Sequence, residues 1–160
     1  MSELPPWDDL ESGSGCPLCT PRPDKNEFIF LVRKLGVSSL YLNRNQAQYG
    51  AALLIYDLRH AIRLDQLSNH EWSRYSADLQ RAQSAIMAAV NPDHINIELL
   101  GNAIPHLHWH IFPRYKSDSR WGGPIWTTEL SEQPVRRLGE DEYDDLAGKI
   151  NLALSNLRED

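Results

Sequence analysis

IPHLHWHIF, residues 104–112, is the stretch on which the reading of this chain turns. Histidines fall at 106, 108 and 110, and Leu107, Trp109 and Ile111 fill the positions between and after them. A period of two belongs to a β-strand, in which alternate side chains share a face. The pattern predicts a strand that turns Leu107, Trp109 and Ile111 toward a core. The three imidazoles then line the opposite face, ~7 Å apart by the rise per residue.

The flanking sequence extends this into a fold. HINIELL (94–100) alternates in the same way and predicts a neighbouring strand. EFIFLVRKL (27–35) and SSLYLN (38–43) have strand composition and predict a hairpin around Gly36. YGAALLIY (49–56) is an apolar run of buried-strand length. Ser68, with Glu71 three residues on, reads as a capping box that opens a long helix. Trp72, Tyr75, Leu79, Ala82 and Ile86 recur there at helical spacing until NPD (91–93) stops it. Tyr143, Leu146, Ile150, Leu154 and Leu157 predict a second, C-terminal helix, and GEDEYDD supplies the acidic first turn that the helix dipole favours.

Strands, helix, strands, helix give an α+β class with a mainly antiparallel sheet, a long helix and a C-terminal helix. One domain over 1–160 is expected, with a loose acidic lead-in at 1–15 and a long loop at 113–138. Apolar residues make up 41% and charged residues 24%, which is ordinary globular usage. No apolar run approaches the ~18 residues of a membrane span, and the first residues lack a secretory pattern, so a cytoplasmic protein with no membrane partner is expected. The net charge of −6 argues against nonspecific nucleic-acid binding but leaves room for a small phosphorylated ligand held by local donors.

A single three-histidine metal site fits the strand poorly. Ring nitrogens at i, i+2 and i+4 spread over ~14 Å, too far for one ion with ~2 Å bonds. Separate jobs fit better. A neutral imidazole is a good nucleophile toward phosphorus when its other nitrogen is held by an acceptor. Donors must also surround the phosphoryl oxygens, and GNAIP (101–105) offers Asn102 on a flexible entry at Gly101.

Cys16 and Cys19, in CPLC, admit three readings: free thiols, a redox pair or half of a metal site. Pro17 and the following TPRP argue for a loop, which weakens the redox reading. The metal reading needs two further ligands, and His60 in DLRHAIRL is one candidate. His70 and His94 read as surface residues. Arg114 is read as a phosphate contact or a solvated arginine, and Trp121 and Trp126 as base-stacking or packing residues.

HLHWHIF resembles the signature of the histidine triad superfamily, His-φ-His-φ-His-φ-φ with φ apolar. GN precedes it and PRY follows it as in many members. LYLNRNQAQYGAALLIYDLRHAIRLDQL is similar to the family's strand–turn–strand with an Asn-Arg pair, so the likeness covers residues 16 to 115. It implies a nucleotide hydrolase or nucleotidyltransferase, commonly a homodimer, acting on dinucleoside polyphosphate or nucleoside phosphoramidate substrates. It implies that His108 attacks the α-phosphate, that His110 binds phosphate, that Asn102 bridges the phosphates and leaving group, and that Asn43 binds ribose. In zinc-bearing branches a CxxC pair and two histidines hold the metal. The match here falls on Cys16, Cys19, His60 and His106, implying structural zinc. Two departures stand out: QYG replaces the common Pro-Gly-His turn, and Asn102 is shorter than the frequent glutamine. A nucleotide-binding or scaffold protein of the same fold with little turnover is the competing reading. A hydrolase using triplet-bound zinc as a Lewis acid is disfavoured by the strand spacing.

Overall fold

A computed structural model describes residues 4–127 and 134–157 of the protein. The parts of the expected lead-in and loop at 1–3 and 128–133 lie outside the described residues. Strands β1 (Ile29–Lys34) and β2 (Ser38–Asn43) form the expected antiparallel hairpin around Gly36. β3 (Ala52–Tyr56) adds to β2, β5 (His108–Arg114) adds to β3, and β4 (His94–Leu99) closes the row. The order is β1-β2-β3-β5-β4, with every neighbour antiparallel.

Helices α2 (Asn69–Val90) and α3 (Glu140–Asn156) cover one face of this sheet. The capping box forms as expected: the Ser68 hydroxyl accepts from the Glu71 N–H, and the Glu71 carboxylate accepts from the Ser68 N–H. α2 ends where Asn91 takes the left-handed conformation, φ 46°. Tyr75, Ala82, Ala85 and Ile86 of α2 and Tyr143, Leu146, Ile150 and Leu154 of α3 form one core with Leu40, Leu42, Leu54, Tyr56 and Ile111. That core takes one parity of side chains from each strand and leaves the other parity for the second face.

Asp78 anchors the hairpin to α2. Its buried carboxylate accepts from the Gly36 and Val37 N–H groups at 3.1 and 2.8 Å and from the Ser38 hydroxyl at 2.7 Å. Gly50, at φ 92° before β3, is held to glycine twice over. A Cβ there would sit 2.9 Å from Val90 and 3.1 Å from Pro113.

Three local expectations change. The last strand begins at His108 and not at Ile104, because the chain bends through Pro105 and the His106 N–H bonds to the Ile104 carbonyl. His106 therefore lies just ahead of the strand, still on the side of His108 and His110, while Leu107 enters the helical core as expected. The lead-in is not uniformly loose: Trp7–Ser12 form a short helix, α1, with Asp8 and Asp9 in its first turn and Gly13 left-handed at its end. Leu10 fixes it by burial. The long loop starts at Tyr115 and carries a 3-10 turn at Ile125–Thr127.

Candidate active site and metal centre

The face opposite the helices carries the polar chemistry. Register places His108 beside Ile55 and His110 beside Leu53 on β3, with Glu98 of β4 across from His110. Two segments fold over this face. On one flank Cys16 and Leu18 cluster with Ile29, Tyr41 and Ile55. On the other Ile125 packs on Ala51 and Phe112.

Hydrogen bonds set the protonation of the histidine pair. His108 Nδ1 lies 2.6 Å from the His106 carbonyl oxygen, which can only accept, so Nδ1 carries the proton. A neutral His108 then has its lone pair on Nε2. That atom lies 3.0 Å from His110 Nε2, which must donate. His110 is thereby the Nε2–H tautomer with a bare Nδ1, and among the described residues that buried atom has no hydrogen-bond partner. Burial lowers the pKa of His108. Burial, and after it His108, pushes His110 down to about 4. Both rings are thus neutral at pH 7. The arrangement presents one nucleophilic nitrogen beside one N–H donor, which suits attack at phosphorus next to an oxygen that gains charge.

His106, turned out of the strand by the bend, meets the cysteines. The ligand atoms of Cys16, Cys19, His60 and His106 lie within 4.8 Å of one another. Cys16 Sγ is 3.5 Å from His106 Nδ1, and Cys19 Sγ is 3.4 Å from His60 Nδ1 and 3.6 Å from His106 Nδ1. Tetrahedral zinc with Zn–S of ~2.3 Å and Zn–N of ~2.05 Å sets S to N at about 3.6 Å. Each histidine uses its other nitrogen as a metal ligand should: His106 Nε2 donates to the Tyr56 carbonyl at 2.8 Å and His60 Nε2 to the Glu11 carbonyl at 3.0 Å. Gly13 lets the chain pass against His60, since a Cβ there would lie 3.0 Å from the imidazole. Burial, together with Cys16, pushes the Cys19 thiol up to about 11, so a thiolate at this position needs a cation beside it. Donor set, spacing and outer hydrogen bonds all fit a closed four-coordinate zinc.

A residue without a sequence signal completes this flank. The side chain of Arg22 is buried, pairs with Asp57, donates to the Tyr41 hydroxyl at 3.1 Å and holds the Leu18 carbonyl inside the cysteine loop. Nothing in TPRP announces a buried arginine.

The other predicted residues fall in different places. Asn43 ends β2, half-buried, and its side-chain oxygen accepts from the Asn45 N–H at 2.9 Å. Asn102 is exposed on the loop that enters β5. His70 and His94 are exposed, as expected. Arg114 does not stand free for phosphate. It is buried, donates to Asp118 at 3.0 Å, and holds the carbonyls of Gly123 and Arg120 at 2.7 and 2.6 Å. A guanidinium so occupied folds the loop back over the sheet. What that loop delivers is Trp126, edge-on to His110 at 6.1 Å and to Phe112 at 5.7 Å, with its indole N–H bonded to Glu98.

Comparisons agree with this architecture. A histidine triad protein from Bradyrhizobium japonicum superposes with a TM-score of 0.71 at 22% identity, over 80% of this chain and 92% of that one. A zinc-bound histidine triad family protein from Mycobacterium smegmatis gives 0.56 at 18%, over 91% and 89%. The diadenosine triphosphate hydrolase of Plasmodium falciparum gives 0.54 at 17%, over 85% and 86%. Among curated proteins none matched. The sequence profile of the HIT domain matches residues 36–117, just over half of the chain, and that span runs from the hairpin turn through His106, His108 and His110. The chain therefore belongs to the HIT domain family, the histidine triad proteins.

Proposed function

We propose that the protein is a nucleotide hydrolase or nucleotidyltransferase working through a nucleotidyl-histidine intermediate. The observation that carries this reading is the fixed tautomer of His108, with Nδ1–H held by the His106 carbonyl and the Nε2 lone pair set 3.0 Å from the His110 Nε2–H donor. In the first step Nε2 bonds to the α-phosphorus as the bond from phosphorus to the leaving oxygen or nitrogen breaks. His110 donates its Nε2–H to the phosphoryl group, and Asn102 and Asn43 contact phosphate and ribose. In the second step water or another acceptor takes the nucleotidyl group and returns the lone pair to His108. Dinucleoside polyphosphates and nucleoside phosphoramidates are the substrate classes. The diadenosine triphosphate hydrolase named above, similar in fold, supports the former.

Zinc belongs to this proposal as a structural ion held by Cys16, Cys19, His60 and His106, with no role at phosphorus. Elemental analysis is expected to find about one zinc per chain. A homodimer, at twice the 18.3 kDa chain mass, is also part of the reading, and light scattering measures it directly.

The decisive experiment pairs His108→Ala with trapping of the adduct. The variant is expected to keep its fold and to lose turnover of diadenosine triphosphate and adenosine 5′-phosphoramidate by at least about 10³-fold. Acid-quenched wild type is expected to carry a nucleotidyl group on His108. Full activity in the variant sinks the mechanism. Tight nucleotide binding by a wild type that never turns over would favour the scaffold reading instead.

A further inference from the structure

Trp126 is the one large aromatic of the late loop that reaches the histidine pair. Its ring plane stands perpendicular to that of His110, at 87°, and the residue remains 40% exposed. Three contacts fix it: Phe112, His110 and the Glu98 carboxylate. Arg114 and Asp118 hold the loop that carries it. A side chain anchored on three sides and still open to solvent is more than packing.

Position gives it a task. His108 Nε2 lies 3.0 Å from His110 Nε2, and the His110 ring lies 6.1 Å from Trp126, so a nucleotide held by the histidine pair comes within reach of the indole. In-line displacement puts the leaving group on the far side of phosphorus from the attacking nitrogen. The same sheet face and the same loop frame a cavity of about 550 Å³ whose lining includes His94, Asn96, Trp121 and Pro124. His94 and Asn96 stand in the same row of β4 as Glu98, the partner of Trp126. A space of that size suits a nucleoside.

We propose that Trp126 is a specificity residue: its exposed face stacks the aromatic base of a second nucleoside in the leaving group, which makes dinucleoside polyphosphates the preferred class over phosphoramidates of small amines. The inference rests on the nucleotidyl-transfer reading above and deepens it. As the Nε2–P bond forms, the P–O bond to the departing nucleotide breaks, and the stack holds that nucleotide in line.

The test compares diadenosine triphosphate with adenosine 5′-phosphoramidate, adenine serving as the probe base. The readout is the ratio of their kcat/KM values. In Trp126→Ala this ratio is expected to fall about tenfold, within the range that one base–aromatic stack supplies. Trp126→Leu, which keeps apolar bulk without a π-face, is expected to fall similarly, while Trp126→Phe stays within about threefold of wild type. An unchanged ratio in the alanine and leucine variants overturns the inference, as does a leucine variant that matches phenylalanine. If the unaltered protein turns over neither compound, the enzymatic reading fails by itself. The stacking claim is then decided by binding: Trp126→Ala must still weaken diadenosine triphosphate relative to adenosine monophosphate, and equal weakening refutes it.

Discussion

His108 Nε2 and His110 Nε2, 3.0 Å apart, set what the site does with protons. Burial holds the folded-state pKa of His110 near 4, below the ~6.5 of an exposed imidazole. Between those values the unfolded chain binds a proton that the folded chain refuses, so stability is full above ~6.5 and falls as pH drops toward 4. His110→Gln keeps an N–H donor but removes this titration. Its stability, read by urea unfolding from pH 7 to pH 4, is expected to decline less than wild type, by ~3 kcal/mol over the window. A parallel decline would mean that other groups carry the effect. Period-two spacing made His108 and His110 legible as residues on one face. Their tautomers were not legible, because the acceptor that decides them is a backbone carbonyl whose direction depends on the bend at Pro105. Arg114 misled for a related reason: its parity matches the histidines, but its donors meet loop carbonyls that local sequence does not place.

At the scale of elements the hinge of the scaffold is Asp78, which joins α2 to the β1–β2 turn through three accepted hydrogen bonds. Asp78→Ala leaves the buried Val37 N–H and Ser38 hydroxyl without their acceptor and is expected to destabilise the fold by about 3 kcal/mol. Thermal or urea unfolding measures this, and a loss below about 1 kcal/mol would show that water replaces the carboxylate. The long helices were readable because capping and apolar period agreed, at Ser68 and Glu71 for α2 and along Tyr143, Leu146, Ile150 and Leu154 for α3. Asp78 itself was not, since an acidic residue inside a helical stripe looks like a solvent-facing position until the turn that it caps is placed against it. α1 went unread although its cues were present: Asp8 and Asp9 ahead of Leu10 and a terminal Gly13. Six residues are too few for periodicity to rise above a Pro- and Gly-containing background.

Across the whole molecule the two sheet faces divide the work, with the helical core on one and the histidines, cysteines and loop on the other. Among the described residues no helix is long and apolar enough to cross a membrane. Chelation is expected to strip the zinc proposed above and loosen the segment around Gly13 and Cys16. The α2–α3 core is expected to hold, because none of its members is a ligand. Hydrogen exchange measures both: faster exchange near residues 10–19 and unchanged protection in α2 and α3 are the expected pair. Global loss of protection would assign the metal to the core. Arg22 and Asp57 should keep residues 18–22 on the sheet even then. The fold-back of this segment has a further consequence for biosynthesis. Cys19 meets His60 across 41 positions, and Cys16 meets His106 across 90. The cysteines leave the ribosome before either histidine, and the four donors cannot meet until His106 has followed them out. Until His106 emerges the pair is an open dithiol, and the zinc proposed above has at most three of its four donors to hold it.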